Sequence, residues 1–145
     1  MTAEHFSKLE RMYLSANVNT QLFDTTTVHI TQGKAEIGLT VVAKYFHALG
    51  AMHGSVYFKL LDDAAFFAVN SVVEDAFVLT KSFEIHFKRP VTDGQILAKG
   101  ELLIEDNGSY TAKSELLNEA GKVVGYGQGI FVKSKVKLSP EIGYK

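Results

Sequence analysis

The spacing of apolar residues predicts one long buried helix in the middle of the chain. No proline or glycine interrupts residues 56–73, and apolar side chains occupy most of the helical wheel. This pattern is typical of a helix with little solvent contact. Because such a helix needs burial on nearly every side, we expect a broad surface to cover it.

The segment after this helix alternates between apolar and polar residues. One face carries Phe77, Leu79, Phe83, Ile85 and Phe87, and the other carries Thr80, Ser82, Glu84, His86 and Lys88. The alternation predicts a half-buried antiparallel strand that Pro90 ends. Lys81 interrupts the apolar row near the start of the strand.

The remaining patterns predict short elements around the helix. They indicate an N-terminal helix over residues 1–16, an irregular segment over 17–24, strands over 26–32, 35–42, 95–104, 109–117 and 122–133, and an exposed tail over 135–145. Glycines 125, 127 and 129 share one strand face, which predicts that the helix lies against that face, with close approach of a ligand as the alternative. We therefore predict one α+β domain over residues 1–145, with an antiparallel sheet wrapped around a central helix.

Two aspartates are the unexpected residues on the apolar helix. They share one sector of the wheel with other polar residues, namely Ser55, Lys59 and Asn70. Asp63 stands four residues after Lys59, which predicts a surface ion pair, with substrate binding as the alternative. Asp62 lies at the edge of the polar sector, where a buried carboxylate needs a partner, a raised pKa or a water-filled cavity. Asp62 is therefore a candidate functional residue.

The start of the helix is a second candidate site. The helix begins after His53-Gly54, so its free N–H groups and positive dipole end can stabilise an anion there. Asp62 lies roughly 13 Å further along the helix axis and half a turn round. If both groups act on one substrate atom, Asp62 must come from a second copy in a two-fold dimer.

These residues resemble a known family. His53-Gly54, Asp62 nine residues after the histidine, and Ala64-Ala65-Phe66 are similar to the central-helix motif of hotdog-fold acyl-CoA thioesterases, particularly the phenylacetate-degradation type. The similarity continues through residues 83–91, with Arg89-Pro90, and covers most of residues 20–133. The resemblance implies a hotdog fold, thioester hydrolysis and a carboxylate that acts across a homodimer interface.

Two positions depart from the family pattern. His47 stands where the family has an asparagine, and Ser55 stands where it has a second glycine. The resemblance assigns the asparagine to orienting water or polarising the carbonyl, a hydrogen-bonding role that His47 can take with a titratable ring. It also matches Thr80 to a family Ser or Thr that helps to hold the attacking water. His53 either caps the helix or orients the loop.

Composition narrows the remaining classes of function. At 145 residues and 46% hydrophobic content, one compact domain is expected. A formal net charge of −1 without a Lys/Arg run disfavours nucleic-acid and membrane-surface partners. The chain contains no cysteine, which excludes disulfides and thiol nucleophiles, and its histidines lack metal-site spacing. The absence of a signal-peptide pattern makes the cytoplasm the expected location.

The resulting hypothesis is hydrolysis of an acyl-CoA thioester. Backbone N–H groups at Gly54 or Ser55 hold the thioester oxygen, and Asp62 of the partner subunit acts as general base or nucleophile, helped by Thr80. Coenzyme A enters only as part of the substrate, and no separate cofactor is expected. Lys81 and Arg89 are candidates to hold it. The expected assembly is a homodimer, with a dimer of dimers as the alternative.

Two rival hypotheses remain open. The second hypothesis is a non-catalytic protein that binds an acyl ligand in the same apolar pocket. In that case the replacement of the family's asparagine by His47 would indicate that catalytic activity has been lost. A hotdog hydratase is the third hypothesis, because Asp24 and His29 have the spacing of its catalytic pair. The neighbouring residues lack that family's Asn-Pro, so we interpret this spacing as chance.

Overall fold

The computed structural model describes residues 2–145. The helices are α1 (Ala3–Ser15), α2 (Asn17–Gln21) and α3 (Gly54–Asn70), with 3-10 turns at Ala43–Tyr45 and Pro140–Ile142. The strands are β1 (Thr27–Thr31), β2 (Lys34–Thr40), β3 (Val78–Phe87), β4 (Gln95–Asp106), β5 (Ser109–Leu117) and β6 (Val123–Lys133). None of the helices in the described residues combines the length and apolar character that a membrane span requires.

The six strands form one antiparallel sheet in the order β1-β2-β4-β5-β6-β3. The sheet covers α3, whose Leu60, Leu61, Ala64 and Ala65 are fully buried. The predicted architecture of a sheet wrapped around one long helix is therefore confirmed. β3 is an edge strand, paired on one side only, with β6.

The sheet touches the backbone of α3 near its midpoint. A Cβ atom on Gly100 of β4 would lie 2.1 Å from the carbonyl oxygen of Ala64, so only glycine fits there. On the next strand, the hydroxyl of Ser114 donates a 2.7 Å hydrogen bond to the carbonyl of Leu61. These two contacts hold the helix against β4 and β5 on either side of Asp62.

The glycines of β6 have the predicted role at one position and a different role at the other two. A Cβ on Gly125 would lie 3.2 Å from the ring of Tyr57, so α3 does cover this position. At Gly127 and Gly129, however, an added Cβ would lie 2.5 Å from the ring of Phe83 on β3. The prediction that the helix lies against this face therefore holds at Gly125, whereas at Gly127 and Gly129 the ring of Phe83 occupies the space.

A β-bulge interrupts β3 and corrects its predicted alternation. Thr80 pairs with Phe131 and Ser82 pairs with Ile130, so Lys81 is an extra residue in the ladder. Before the bulge, Val78 is buried and Leu79 is half-exposed. The prediction that Leu79 faces the core and Thr80 faces outward is wrong, because the extra residue reverses the two faces.

The terminal segments are more ordered than predicted. α1 forms as expected, and the hydroxyl of its N-cap Thr2 accepts a hydrogen bond from the backbone N–H of His5. The segment over residues 17–24 is not wholly irregular, since it contains α2. The predicted exposed tail instead lies against α1, where the hydroxyl of Tyr144 is 2.7 Å from Nδ1 of His5. Long-range contacts therefore order both ends.

Asn70 is another polar residue whose predicted surroundings are wrong. The wheel placed it in the polar sector of α3, but its side chain is fully buried. It donates hydrogen bonds to the carbonyls of Val73 and Ala76 and accepts one from the backbone N–H of Val78. The amide therefore ties the end of α3 to the start of β3.

Candidate active site

The first half of the site is a carboxylate and a hydroxyl on adjacent elements. Thr80 donates a 2.8 Å hydrogen bond from its hydroxyl to Oδ1 of Asp62. The bulge at Lys81 makes this contact, because it turns Thr80 toward α3. The structure therefore brings together two of the predicted catalytic residues.

The surroundings of Asp62 change its acidity. Burial raises the pKa of Asp62 from 3.8 to about 6. The hydrogen bond from Thr80 opposes this rise, the charge of Asp63 adds to it, and the charge of Lys59 opposes it. A carboxylate with a pKa near 6 is mostly ionised at neutral pH and is a stronger base than an ordinary aspartate.

The neighbouring carboxylate, Asp63, belongs to a polar cluster. Lys59 donates hydrogen bonds to Oδ2 of Asp63 at 2.9 Å, to the amide oxygen of Asn19 at 2.7 Å and to the hydroxyl of Tyr13 at 2.9 Å. Tyr13 in turn donates to Oδ2 of Asp63 at 2.6 Å. The predicted Lys59–Asp63 pair is confirmed, but the prediction of a surface pair is wrong.

The two side chains of this pair are only 14% and 22% exposed, because α1 and α2 cover them. Burial at this level makes their mutual attraction stronger than in an exposed pair. The cluster therefore fixes the N-terminal helices to α3. A substrate-binding role for Asp63 stays a prediction.

The second half of the site is the first turn of α3. His53 caps the helix, and its Nδ1 accepts hydrogen bonds from the backbone N–H of Ser55 at 3.0 Å and from the Ser55 hydroxyl at 2.8 Å. Within residues 2–145, the N–H of Gly54 has no acceptor. Gly54, rather than Ser55, therefore presents the free donor at this helix end.

Three predicted residues line one cavity at this end of the helix. Gly54, His47 and Arg89 line a cavity of about 340 Å³, together with Ala51, Met52, Tyr57, Phe87, Lys88 and Pro90. The ring of His47 is exposed, and its Nδ1 accepts a hydrogen bond from the backbone N–H of Leu49. Lys81 lies elsewhere, on the bulge of β3, so the structure does not bring it to Arg89.

A second and larger cavity opens beside Asp62. It has a volume of about 630 Å³ and contains Asp62, Asp63 and Thr80 among mostly apolar residues from α1, α2, α3, β3 and the C-terminal segment. The Gly54 cavity and the Asp62 cavity share no lining residue. Within one chain, the helix end and the carboxylate therefore face different spaces, as the helix geometry predicts.

Sequence reasoning missed several residues of the larger cavity. Val18, Val136 and Ile142 line it from segments that were predicted to be irregular or exposed. Asn19, which binds Lys59, lies in one of those segments. The only sequence signal was the apolar face of α1, which included Tyr13.

In the structure, Asp24 and His29 form ion pairs with other residues. The carboxylate of Asp24 lies 3.7 Å from the ammonium of Lys44. Nδ1 of His29 lies 3.9 Å from the carboxylate of Glu10. Each residue therefore contacts a different neighbour, which supports the interpretation that the spacing is chance.

Comparisons with known proteins agree with this architecture. A family model described as the thioesterase superfamily matches residues 49–124. No curated protein matches the chain. Among solved structures, the PaaI protein from the phenylacetic acid degradation operon of E. coli is 20% identical, with a TM-score of 0.83 over 94% of this chain and 97% of that one.

Two further structures have a similar fold. A conserved protein from Pseudomonas aeruginosa is 24% identical, with a TM-score of 0.77 over 86% of this chain and 98% of that one. A variant of the phenylacetic acid degradation protein PaaI from Thermus thermophilus is 23% identical, with a TM-score of 0.67 over 75% of this chain and 93% of that one. The predicted hotdog fold is confirmed.

Proposed function

The chain belongs to the thioesterase superfamily, and we propose that it hydrolyses an acyl-CoA thioester to a carboxylate and free coenzyme A. The observation that supports this proposal most directly is the Asp62–Thr80 pair. Its carboxylate has a pKa raised to about 6 by burial and lines an apolar cavity. This combination suits a base acting on water beside an apolar acyl group.

The thioester carbonyl is placed at the first turn of α3. There the free N–H of Gly54 and the helix dipole stabilise the negative charge that develops on the oxygen. His53 holds the Ser55 amide and so shapes the turn. Arg89 lines the same cavity, and its positive charge suits the phosphates of coenzyme A.

The carboxylate at this carbonyl is Asp62 of the partner subunit. It removes a proton from water as the water oxygen bonds to the carbonyl carbon. The tetrahedral intermediate then loses the C–S bond, and the thiolate receives the proton. In the alternative route, the carboxylate attacks the carbonyl carbon directly, the C–S bond breaks to release the thiolate and leave an anhydride, and water then hydrolyses the anhydride to regenerate the carboxylate. In both routes Thr80 helps to place the reacting groups through its bond to Asp62.

A two-fold homodimer with antiparallel α3 helices completes this site. β3 offers an unpaired strand edge, and a second copy can pair with it. Exposed aromatic side chains, Phe58 on α3 and Phe87 on β3, add apolar surface for a partner. A dimer also resolves the separation of the two cavities, because each copy supplies the half that the other lacks.

Substitutions at Asp62 and at Gly54 test both the hydrolysis and the proposal that two subunits share each site. Asp62→Ala removes the base, and Gly54→Pro removes the helix-end N–H while keeping a residue that favours the first helical position. Thiol release from a panel of acyl-CoAs should be lost in both variants, with the dimer retained in size-exclusion chromatography. Gly54→Ala is the matched control, because it adds a Cβ 3.1 Å from the Phe87 ring but keeps the N–H.

Mixing the two inactive variants then tests the sharing itself. A mixed dimer contains one site with both groups intact, so random exchange should restore about a quarter of wild-type turnover. Failure to restore turnover, although the subunits exchange, would show that each chain builds its own site. Full activity in Asp62→Ala would refute the assigned base.

One observation favours a second candidate, a non-catalytic acyl-ligand binding protein. His47 replaces the family asparagine, and its Nδ1 is occupied by the Leu49 N–H, which leaves only Nε2 for a ligand. An acyl-CoA that raises the melting temperature of the wild-type protein without release of thiol would support binding alone.

A further inference from the structure

The walls of the Asp62 cavity come largely from the two ends of the chain. The family model matches only residues 49–124. The cavity residues outside that range are Met12, Tyr13, Ala16, Val18, Asn19, Ser134, Val136 and Ile142. The terminal walls of the cavity therefore lie outside the range that the family model matches, and its floor lies inside that range.

The cavity has a polar part at the Asp62–Thr80 pair and a larger apolar part. Aromatic rings of Phe66, Phe67 and Phe77 pack against one another on the core side, with ring centroids 4.9–5.2 Å apart. Val18, Val136 and Ile142 add aliphatic surface from the ends of the chain. An apolar chain with a reactive carbonyl at one end matches this division, since the carbonyl lies with the Asp62–Thr80 pair and the rest contacts carbon.

We propose that α2 and the C-terminal segment limit the length of the acyl chain, with Val18 and Ile142 as the residues that set the limit. The substrate class is then thioesters of apolar acyl groups. The inference rests on the proposed function for the position of the carbonyl at Asp62, but it concerns binding, which is measured without turnover.

The C-terminal wall is held in place by hydrogen bonds to the core. The backbone N–H of Phe77 donates to the carbonyl of Val136 at 2.9 Å, and the N–H of Ser134 donates to the carbonyl of Phe77 at 2.9 Å. These bonds join the segment to the residue just before β3. A wall fixed to the elements that carry Asp62 and Thr80 keeps a constant distance from them, which a length limit requires.

A second anchor lies beyond Ile142. His5 is buried, and its Nε2 donates a 2.9 Å hydrogen bond to the backbone carbonyl of Asn70 at the end of α3. The other ring nitrogen, Nδ1, is within hydrogen-bond distance of the hydroxyl of Tyr144, at 2.7 Å. The C-terminal segment is therefore fastened on both sides of the cavity residue Ile142.

The N-terminal wall is anchored through the polar cluster described above. Tyr13 donates to Asp63, and Asn19 accepts from Lys59, so both helices are joined to α3. Val18 lies between these two anchors along the chain and is 43% exposed. A larger side chain at Val18 has room to enter the cavity without displacing the core.

The test measures binding of non-hydrolysable thioether analogues of coenzyme A with butanoyl, octanoyl and dodecanoyl chains. Titration calorimetry on the full-length protein compares the wild type with Val18→Trp and Ile142→Ala. Leu14→Trp is the matched control, because Leu14 is 41% exposed and lies on α1 but does not line the cavity. Melting temperatures verify that each variant is folded.

The expected results are specific to chain length. For the longest analogue that the wild type binds, Val18→Trp should weaken the affinity by about tenfold, because the larger side chain overpacks the cavity. The affinity for the butanoyl analogue should stay unchanged. Ile142→Ala should improve binding of the longest analogue relative to the butanoyl one. Leu14→Trp should behave as the wild type.

Three outcomes overturn the proposal: equal effects of Val18→Trp on all chain lengths, identical behaviour of Val18→Trp and Leu14→Trp, or no binding of any analogue. Failure of the proposed function has a different signature. The length-dependent binding would then appear as expected, while natural acyl-CoAs of the same lengths release no thiol.

Discussion

Replacement of Asp62 by asparagine should stabilise the protein at pH 7 while it removes the proposed activity. Asparagine has the same shape as aspartate and keeps an oxygen that accepts the hydrogen bond from Thr80. The substitution therefore removes the charge with little change in packing. Because burial disfavours the charged form of this residue, the neutral amide should fit the folded state better.

The pKa of Asp62 sets the size of this effect. A rise from 3.8 to about 6 is about two pKa units, which corresponds to roughly 3 kcal/mol. Partial exposure of the carboxylate makes this an upper bound, so we expect a gain of about 1–3 kcal/mol. The folded protein binds more protons than the unfolded chain between pH 3.8 and about 6, so wild-type stability falls as the pH rises through that window.

Urea unfolding at fixed protein concentration measures the effect. The stability gain of Asp62→Asn over the wild type should be largest at pH 7 and should shrink as the pH falls toward 4, where Asp62 of the wild type is protonated. Asp63→Asn is the matched control. It removes a carboxylate that Lys59 and Tyr13 contact directly, so it should destabilise the protein by roughly 2–3 kcal/mol.

The reasoning fails if Asp62→Asn is less stable than the wild type at pH 7. It also fails if the stability difference between the two proteins is the same at pH 7 and at pH 4. Either result would mean that burial does not penalise the Asp62 charge. The assignment of Asp62 as the general base would then lose the raised pKa that supports it.

Further predictions concern the residues around Asp62. The pH profile of kcat/KM should rise through about pH 6, as Asp62 loses its proton. Thr80→Val should move the midpoint of that profile to higher pH, because the hydrogen bond from Thr80 lowers the pKa of Asp62. A midpoint that does not move would contradict this role of Thr80. Gly100→Ala should destabilise the protein by more than about 2 kcal/mol in urea unfolding, because its Cβ would meet the carbonyl of Ala64. A wild-type midpoint in Gly100→Ala would disprove that close approach. Asn70→Ala should lower stability by roughly 3 kcal/mol, because buried groups lose their partners, and the loss should be the same at pH 5 and pH 7.

The central helix and its carboxylate were predictable from local sequence features. An apolar run without proline or glycine predicted α3, and a carboxylate within that run identified Asp62 as a residue with a special environment. The direction of the Thr80 side chain was not predictable from local sequence features. Its match to the family came from resemblance, and its contact with Asp62 depends on the ladder between β3 and β6.

The terminal walls of the cavity were not predictable in the same way. The contact between His5 and Tyr144 joins residues 139 positions apart, and no local pattern marks it. Residues such as Val136 and Ile142 lie in a short segment with neither helical nor strand periodicity. Only the folded chain shows that this segment covers an apolar cavity.

The bulge at Lys81 makes the backbone path of β3 matter more than the side chain at that position. Alanine there would leave the backbone path intact, and Thr80 would still point at Asp62. Deletion of the same residue would leave Thr80 opposite Phe131 and Ser82 opposite Ile130 in a regular ladder, so Thr80 would keep its direction. Only a strand that took Lys81 into the regular two-residue repeat would turn Leu79 toward the carboxylate and Thr80 into solvent. This stretch of the chain should therefore tolerate both substitution and deletion of Lys81.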